Sequence, residues 1–293
     1  MEFIIQVLLI GITVGAVYGL VAVGWGVLVK STGILNIAQG QLVMIASYIC
    51  YTFSNQIGLP FWMAIILTLG VAALLGIFIE RTMMRPMIGE PLMSVCMITI
   101  ALASVLDGVV QMIWGPMDFT YKSYLPDQPI VFGNIFLSSS YIFAFVIAML
   151  VLVGLILFFR FTKAGLAMRG VAENQTVAQS LGVNVGFISS TSWAICCMTA
   201  AMGGMILATI VSVSLSLSNI GMVAIPAVIV GGMESLPGAV IGGLIIGITR
   251  AFTGTYLDKF MISISEITPY IIMMIILIVK PYGLFGLKEI ERV

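Results

Sequence analysis

The sequence contains no histidine and very little charge. Of its 293 residues, 8% are charged, and 12 basic side chains balance 12 acidic ones. The absence of histidine excludes Ser-His and Cys-His catalysis, histidine-ligated metal sites and histidine proton relays. A neutral chain also lacks the basic surface that a nucleic-acid partner requires. There is no G-x-x-x-x-G-K-[ST] loop, so we expect no ATP hydrolysis, no catalytic residue and no metal site in this chain.

Apolar residues dominate what is present. They make up 61% of the chain and give a mean hydropathy of +1.20, whereas a water-soluble domain carries about a quarter charged residues. The four cysteines lie within apolar segments, which favours small hydrophobic side chains over disulfides. The first run, 3–29, is too long and too uncharged for a signal peptide. The composition predicts an all-α integral membrane protein that forms a single transmembrane domain over 1–293.

Apolar runs of spanning length are followed by a less regular late part. The long runs are 3–29, 34–53, 60–79, 91–114, 141–159 and 188–213. After them come a short run at 221–232, a glycine-rich run at 236–252 and a last run at 268–279. This pattern predicts about eight transmembrane helices, of which one or two are broken or span half of the membrane.

Basic residues set the expected orientation. Alternation of the spans places nine of them on one side: Lys30, Arg81, Arg85, Arg160, Lys163, Arg169, Lys280, Lys288 and Arg292. Lys122, Arg250 and Lys259 fall on the other side. Because the side rich in Lys and Arg faces the cytoplasm, the N-terminus is predicted to be periplasmic and the C-terminus cytoplasmic. The segment 116–138, with Asp118 and Asp127, then forms the main external loop.

One polar, basic segment, 160–187, separates two long apolar runs. Its apolar residues fall near one helical face: Val171, Ala172, Val177, Ala178 and Leu181. Gly182 stands where a C-terminal cap would end the helix. The segment is therefore predicted to form one short amphipathic helix on the cytoplasmic side that contacts another protein. A solvated connector is the alternative.

Two stretches place polar groups among the apolar runs. Asn36, Gln39 and Gln41 lie near the start of the second run, where they either line a cavity at membrane depth or cap a helix end. Asp107 lies in the middle of the fourth run, with Gln111 one turn later on the same face. A carboxylate within a span is costly and is therefore a functional candidate. A hydrogen bond to a neighbouring helix would also explain Asp107.

Glycines follow two patterns. Gly11, Gly15 and Gly19 are spaced by four, and the late run repeats this spacing at 238, 242, 243 and 247. Such stripes let membrane helices approach closely, so we expect packing faces there. The segment 231–238 instead interrupts the chain between two apolar runs, and it is predicted to be buried in protein or to line a wet cavity.

Five segments in order resemble a known family. They are 11–20, 35–41 (LNIAQGQ), 162–182, the glycine-rich 231–243 and the terminal PYGLFG at 281–286. Each match is weak alone, but their order is specific. Over essentially its whole length the chain is similar to the LivH-type permeases, the membrane subunits of ABC importers for branched-chain amino acids.

This resemblance implies a permease subunit of the bacterial inner membrane that moves branched-chain amino acids and is not itself an enzyme. The implied partners are a second LivM-like permease subunit, two cytoplasmic ATPase subunits, a periplasmic substrate-binding protein and membrane lipid. ATP and Mg would bind to the ATPase subunits, with no cofactor in this chain. The cytoplasmic loop 160–187 would couple to the ATPases through Gly165, Arg169, Glu173, Asn174, Ala178 and Gly182. The substrate path would include Asn36, Gln39, Gln41, Asp107 and Gln111.

The sequence departs from the family pattern at two positions. Gln39 stands where the family commonly has histidine, and Gln41 stands where it commonly has glutamate. Related permeases carry urea, short amides or aromatic acids, so the same importer class with one of these solutes is an alternative. A stand-alone channel or a secondary carrier is the competing class, and the small number of buried charges counts against it.

Overall fold

The computed structural model describes residues 2–121, 130–132, 135–233, 235–260 and 263–286. Lys122, Asp127, Lys288 and Arg292, which entered the orientation argument, lie outside these ranges. The α-helices are α1 (Glu2–Thr32), α2 (Gln39–Tyr51), α3 (Phe61–Ile79), α4 (Leu92–Trp114), α5 (Ser139–Phe161), α6 (Lys163–Glu173), α7 (Gln175–Ser180), α8 (Val185–Ile210), α9 (Leu217–Met222), α10 (Ala224–Gly231), α11 (Leu236–Tyr256) and α12 (Ile264–Val279).

Shorter elements complete the chain. π-helical turns at Thr52–Gln56 and Glu80–Met84 extend α2 and α3, and Arg85–Met87 forms a 3₁₀ turn. A short antiparallel hairpin in the external loop pairs β1 (Ile130–Phe132) with β2 (Ile135–Leu137). The fold is helical as predicted, with this hairpin as the departure from an all-α chain.

Six helices in the described part are long and apolar enough to cross a membrane: α1, α3, α4, α5, α8 and α11. The helix α2 with its π-helical turn and the helix α12 are shorter, and α9 and α10 together form a broken segment. The prediction of about eight helices with a broken late segment is confirmed. The run at 236–252 forms a full-length helix, because its glycines serve packing rather than a break.

The helices α1 and α11 cross with their backbones in contact. A Cβ atom added at Gly243 would lie 2.4 Å from the nitrogen of Gly19, and one added at Gly247 would lie 2.2 Å from the Cα of Gly15. The two glycine stripes of the sequence therefore face each other. In lipid, where apolar surface gains little by leaving the solvent, such close packing is a main source of helix association.

The helices α1 and α8 occupy the centre of the bundle. Trp25 of α1 and Trp193 of α8 are buried, and α2 packs on α8 so closely that a Cβ at Gly204 would lie 2.2 Å from the carbonyl oxygen of Val43. The helices α3 and α5 lie at the periphery and expose leucines such as Leu74 and Leu150. These faces suit contact with lipid.

The terminal segment 281–286 caps the end of α10. The backbone N–H groups of Leu284 and Phe285 donate to the carbonyl oxygens of Val230 (2.9 Å) and Gly231 (3.1 Å). The last carbonyls of a helix have no partner within it and need one from elsewhere. The PYGLFG signature thus packs on the start of the glycine-rich break at 231–238, where Gly231 and Gly232 are buried whereas Met233 and Pro237 are exposed.

Asp258, in the connection between α11 and α12, holds the start of α12. Its carboxylate accepts hydrogen bonds from the N–H (2.9 Å) and the hydroxyl (2.6 Å) of Ser265. Both bonds lower the pKa of the Asp258 carboxyl below its usual value, and the bond from the hydroxyl has the larger effect. The cap is therefore formed by the charged carboxylate and is lost as pH falls through that lowered pKa.

We expect Gly243→Val to destabilise the protein by about 1–3 kcal/mol, because the added side chain meets the α1 backbone, which cannot move aside. The measurement is thermal unfolding of the purified protein in detergent. Gly154→Ala in α5 is the control, since its Cβ meets nothing within 4 Å. A Gly243 variant as stable as that control would contradict the close crossing.

Candidate functional site

The segment between α1 and α2 turns back into the bundle without forming a helix. After α1 ends at Thr32, Gly33 adopts a φ of +70° and the chain returns along α1. The indole N–H of Trp25, two turns before the end of α1, donates to the carbonyl oxygen of Asn36 at 2.8 Å. The hydroxyl of Thr99 on α4 donates to the carbonyl oxygen of Leu35 at 3.4 Å. The segment is therefore non-helical backbone that packs on α1 and α4, with Asn36 buried.

Asn36 and Gln39 form a buried polar cluster at the start of α2. The Asn36 amide donates to the side-chain oxygen of Gln39 at 3.1 Å, and the thiol of Cys196 on α8 donates to the same oxygen at 3.1 Å. The Asn36 side-chain oxygen accepts from the N–H of Ala38, which starts the helix. All three side chains of the cluster are fully buried. Cys196, predicted as a small hydrophobe, is also a hydrogen-bond donor here.

Gln41 and Asp107 form a second polar contact on the other side of α2. Two residues along a helix turn by about 200°, so Gln39 faces α8 while Gln41 faces α4. The Gln41 amide donates to the Asp107 carboxylate at 3.3 Å. Gln111 is exposed on the outer surface of α4. The five predicted path residues are thus divided among a buried cluster, an interhelical contact and an exposed position.

Two buried amide atoms in these clusters lack a hydrogen-bond partner among the described residues. They are the nitrogen of Gln39 and the oxygen of Gln41. The orientation of the Gln39 amide is set by its neighbours, because Asn36 and Cys196 both donate to its oxygen. A buried polar group without a partner is costly. The Gln39 nitrogen therefore remains a free donor near α8, and the Gln41 oxygen remains a free acceptor near α4, on opposite sides of α2.

The loop 160–187 contains two short helices, α6 and α7, so the prediction of a single helix is wrong. The backbone breaks at Asn174 (φ −159°, ψ 108°), which ends α6 and caps α7 by accepting from the N–H of Val177 at 3.0 Å. Thr162 caps α6 in the same way. The break shifts the helical register, so Val177 and Leu181 are 53% and 80% exposed instead of sharing the buried face of Val171.

The other residues predicted for coupling have distinct local roles. Gly182 has a φ of +84° and ends α7, as predicted. Gly165 lies against the carbonyl oxygens of Phe158 and Phe159, where a Cβ would not fit. Ala178 is buried, whereas Arg169 and Glu173 are exposed. Glycine, Asn174 and Ala178 shape the loop, and the two charged residues are accessible to a partner.

A buried carboxylate at the end of α3 was not singled out in the sequence. Glu80 is fully buried and accepts two hydrogen bonds from the Arg85 guanidinium (3.2 and 3.0 Å) and one from the Ser190 hydroxyl (2.6 Å). Arg85 also donates to the carbonyl oxygen of Gly186 at 3.2 Å. This network ties α3 to the first turn of α8, directly after the cytoplasmic loop. Its only sequence signal is a Glu five residues before an Arg at the end of an apolar run.

Arg250, which the orientation argument counts on the outer side, lies in the second half of α11. Its guanidinium donates to the hydroxyl of Tyr18 and lies 5.8 Å from the centre of that ring. Side chains lean towards the N-terminus of their own helix, so residues on two antiparallel helices can lean towards each other. The Arg250 guanidinium is therefore held between α1 and α11.

We expect Glu80→Ala to destabilise the protein by about 2 kcal/mol, because it leaves the Arg85 and Ser190 donors without their buried acceptor. Glu90→Ala, at an exposed position in the same connection, should change stability by no more than roughly 0.5 kcal/mol. Thermal unfolding in detergent compares the two variants. Equal stabilities of the Glu80 and Glu90 variants would show that the network does not stabilise the fold.

Comparisons with known proteins agree with this architecture. The chain is 29% identical to the high-affinity branched-chain amino acid permease protein BraD of Pseudomonas aeruginosa and 27% identical to LivH of Salmonella typhimurium. Each comparison covers 99% of this chain and 98% of the relative. A solved structure, PsaBC from Streptococcus pneumoniae in complex with Fab, matches 94% of this chain and 92% of that chain with a TM-score of 0.51 and 11% identity. That likeness concerns the fold alone.

The family of permease components of branched-chain amino acid transport systems matches residues 7–279, which is nearly the whole chain. Members of this family are membrane components of ABC transporters and work with other components of the transporter. The match includes the spans, the non-helical segment before α2 and the loop between α5 and α8. The chain is a multi-pass membrane protein that belongs to the branched-chain amino acid transport permease family.

Proposed function

We propose that this chain is the permease subunit of an ABC importer that moves branched-chain amino acids across the bacterial inner membrane. It works with a second, LivM-like permease subunit, two cytoplasmic ATPase subunits that bind ATP and Mg, and a periplasmic substrate-binding protein. The N-terminus is periplasmic, and the C-terminus and the loop 160–187 are cytoplasmic. The shape of that loop is the observation that carries this proposal.

The loop has the features of a docking element. Its two helices are capped at Thr162, Asn174 and Gly182, so its form is fixed by local hydrogen bonds. Val177 and Leu181 expose apolar side chains to the cytoplasm, where a soluble protein can bury them. Arg169 and Glu173 add charges of both signs beside them. A solvated connector has no need for an ordered apolar surface.

Motion of the loop reaches the spans through the elements that it joins. It continues from α5 and leads into α8, and α8 is bound to α3 through Gly186, Arg85 and Glu80. A displacement of the loop by the ATPases therefore shifts peripheral helices relative to the centre. Alternating access requires such a change between two packed arrangements.

The solute path passes the start of α2. The partnerless nitrogen of Gln39 can donate to a carboxylate, and the oxygen of Gln41 can accept from an ammonium group. Because Gln39 and Gln41 lie on opposite sides of α2, they would meet the two charged ends of an amino acid in succession along the path, and the surrounding apolar residues suit a branched side chain. The relatives named as branched-chain amino acid permeases support the same solute. Urea, short amides and aromatic acids are the alternatives, since Gln39 and Gln41 replace the charged residues common in the family.

We expect the double variant Arg169→Ala with Glu173→Ala to reduce ATP-driven leucine uptake at least fivefold, the scale of a lost coupling of about 1 kcal/mol or more between sites. The measurement is uptake and ATPase activity of the full complex in proteoliposomes, with and without ATP. Lys163→Ala, in the same loop, is the control.

Wild-type uptake and ATPase activity in the double variant would remove these two residues from coupling. Uptake that proceeds without ATP and collapses with the ion gradient would contradict the importer itself and support a secondary carrier.

We expect Gln39→Ala and Gln41→Ala each to raise the KM for the solute about fivefold or more, because each removes a polar partner worth roughly 1 kcal/mol. Asn36→Ala and Asp107→Ala should also alter uptake kinetics. The measurement is initial uptake rate against solute concentration at matched protein levels, with leucine, urea and an aromatic acid. Unchanged kinetics in all four variants would exclude this path.

A further inference from the structure

A cavity opens at the end of the bundle where α1 and α3 finish, which the proposed function places on the cytoplasmic side. Its walls come from residues within 31–34 at the end of α1, 84–90 between α3 and α4, and 185–189 in the first turns of α8, together with Val95 and Gln175. Its volume is about 270 Å³, just below the roughly 300–1,000 Å³ of sites for drug-sized ligands. The space, which we call the cytoplasmic cavity, therefore suits a small metabolite.

One part of the cytoplasmic cavity carries hydrogen-bond donors. The Arg85 side chain is 45% exposed, and its Nη1 atom donates to no described residue. Its Nε and Nη2 atoms are bound to Glu80, Ser190 and the carbonyl oxygen of Gly186. The guanidinium lies against the first turn of α8, where the N–H groups of Val185 and Gly186 have no partner within the helix. A guanidinium beside a helix N-terminus suits a carboxylate.

The cavity also contains an unpaired carboxylate, that of Glu90. This side chain is exposed, and it forms no hydrogen bond or ion pair with any residue that the structure describes. Arg85 and Glu90 do not pair with each other, so both remain available to a ligand. An unpaired carboxylate suits an ammonium group.

Apolar side chains form the rest of the wall. Met84 and Val95 are buried, with 1% and 6% of their surfaces exposed, and Met87 and Ile88 lie beside them along the cavity. A ligand with an apolar side chain would cover these groups, and their removal from water favours binding.

We infer that the cytoplasmic cavity binds a free apolar amino acid from the cytoplasm and that the bound amino acid slows import. The carboxylate of the amino acid contacts Arg85 and the first turn of α8, and its ammonium group contacts Glu90. A phosphate fits less well, because the carboxylates of Glu80 and Glu90 would repel its negative charge. A zwitterion has no net charge and matches both ends.

The position of the cavity explains why a ligand there would slow import. Gln175 belongs to the loop 160–187 and Gly186 to the first turn of α8, whereas Arg85 and Glu90 belong to the connection between α3 and α4. A ligand held among these elements favours the arrangement in which they surround it, and a ligand that prefers one state shifts the equilibrium towards that state. The effect on import rests on the proposed function, whereas the binding of the amino acid does not.

Photo-leucine, a diazirine analogue of leucine, tests the binding. It is added to inside-out membrane vesicles that contain the full complex, and the labelled peptides are identified by mass spectrometry after irradiation. We expect label within 84–95 that L-leucine displaces. Leucinol, which lacks the carboxylate, and isocaproate, which lacks the ammonium group, should not displace it. Label confined to the start of α2, or no label on this chain, would overturn the inference.

A matched pair of variants tests the ammonium end. Glu90→Gln removes the charge in the cavity, and Glu266→Gln makes the same change at an exposed position in the first turn of α12. We expect Glu90→Gln to reduce the affinity for photo-leucine about tenfold, the scale of a lost charge-assisted hydrogen bond. Glu266→Gln should leave the affinity unchanged. Equal affinities in the two variants would overturn the inference.

Uptake measurements test the effect on import. Proteoliposomes that contain the full complex are loaded with ATP, with or without L-leucine inside, and the initial uptake of labelled leucine is recorded. We expect internal leucine to slow uptake about fivefold, the scale of a typical coupling between two sites, whereas internal leucinol should not. The Glu90→Gln variant should lose this inhibition, and the Glu266→Gln variant should keep it.

The outcomes separate this inference from the proposed function. If ATP-driven uptake is the same with and without internal leucine, the regulatory site is wrong and the importer assignment stands. If the unmodified complex shows no ATP-driven uptake, the proposed function fails and the regulation of import fails with it, while the photo-leucine label still decides whether the cavity binds an amino acid.

Discussion

The fold depends on the hydrogen bonding of a few backbone groups that are not helical inside the membrane. In hydrocarbon an unpaired N–H or C=O group costs several kcal/mol. The segment 33–38 avoids this cost because Trp25 and Thr99 donate to its carbonyl oxygens. These bonds fix where α2 begins, and the start of α2 determines which way Gln39 and Gln41 face.

Packing is unequal across the bundle. The helices α1, α10 and α11 meet with backbone contacts through glycine, and α3 approaches the α8 backbone at Gly76. The helices α3, α4 and α5 nevertheless present long exposed faces. The cytoplasmic loop joins a peripheral helix, α5, to a central one, α8. A force on the loop therefore acts between the closely packed part and the loosely packed part, where a rearrangement breaks few contacts.

Much of the fold could be predicted from the sequence. The long apolar runs predicted the spans, because a helix of about twenty residues crosses a bilayer and makes its backbone hydrogen bonds internally. Glycine spacing predicted the α1 and α11 stripes, and Gly182 predicted the end of α7. The prediction of one helix in the loop 160–187 was wrong. The chain can either continue as a helix through Asn174 or use its side chain to cap a new helix, and no periodicity reveals which of the two prevails. The contact between Arg250 and Tyr18 could not be predicted, because the two residues are 232 positions apart in the chain.

The sequence by itself determined a multi-pass helical protein, since composition and run length depend on the solvent that surrounds each helix. It also determined the family resemblance, which resides in local motifs. Only the tertiary structure decided which polar residues meet. Gln41 and Asp107 are 66 residues apart, and Gln39 and Cys196 are 157 apart. Such contacts follow from the register and rotation of whole helices, which are set by packing against neighbours and have no local signal in the chain.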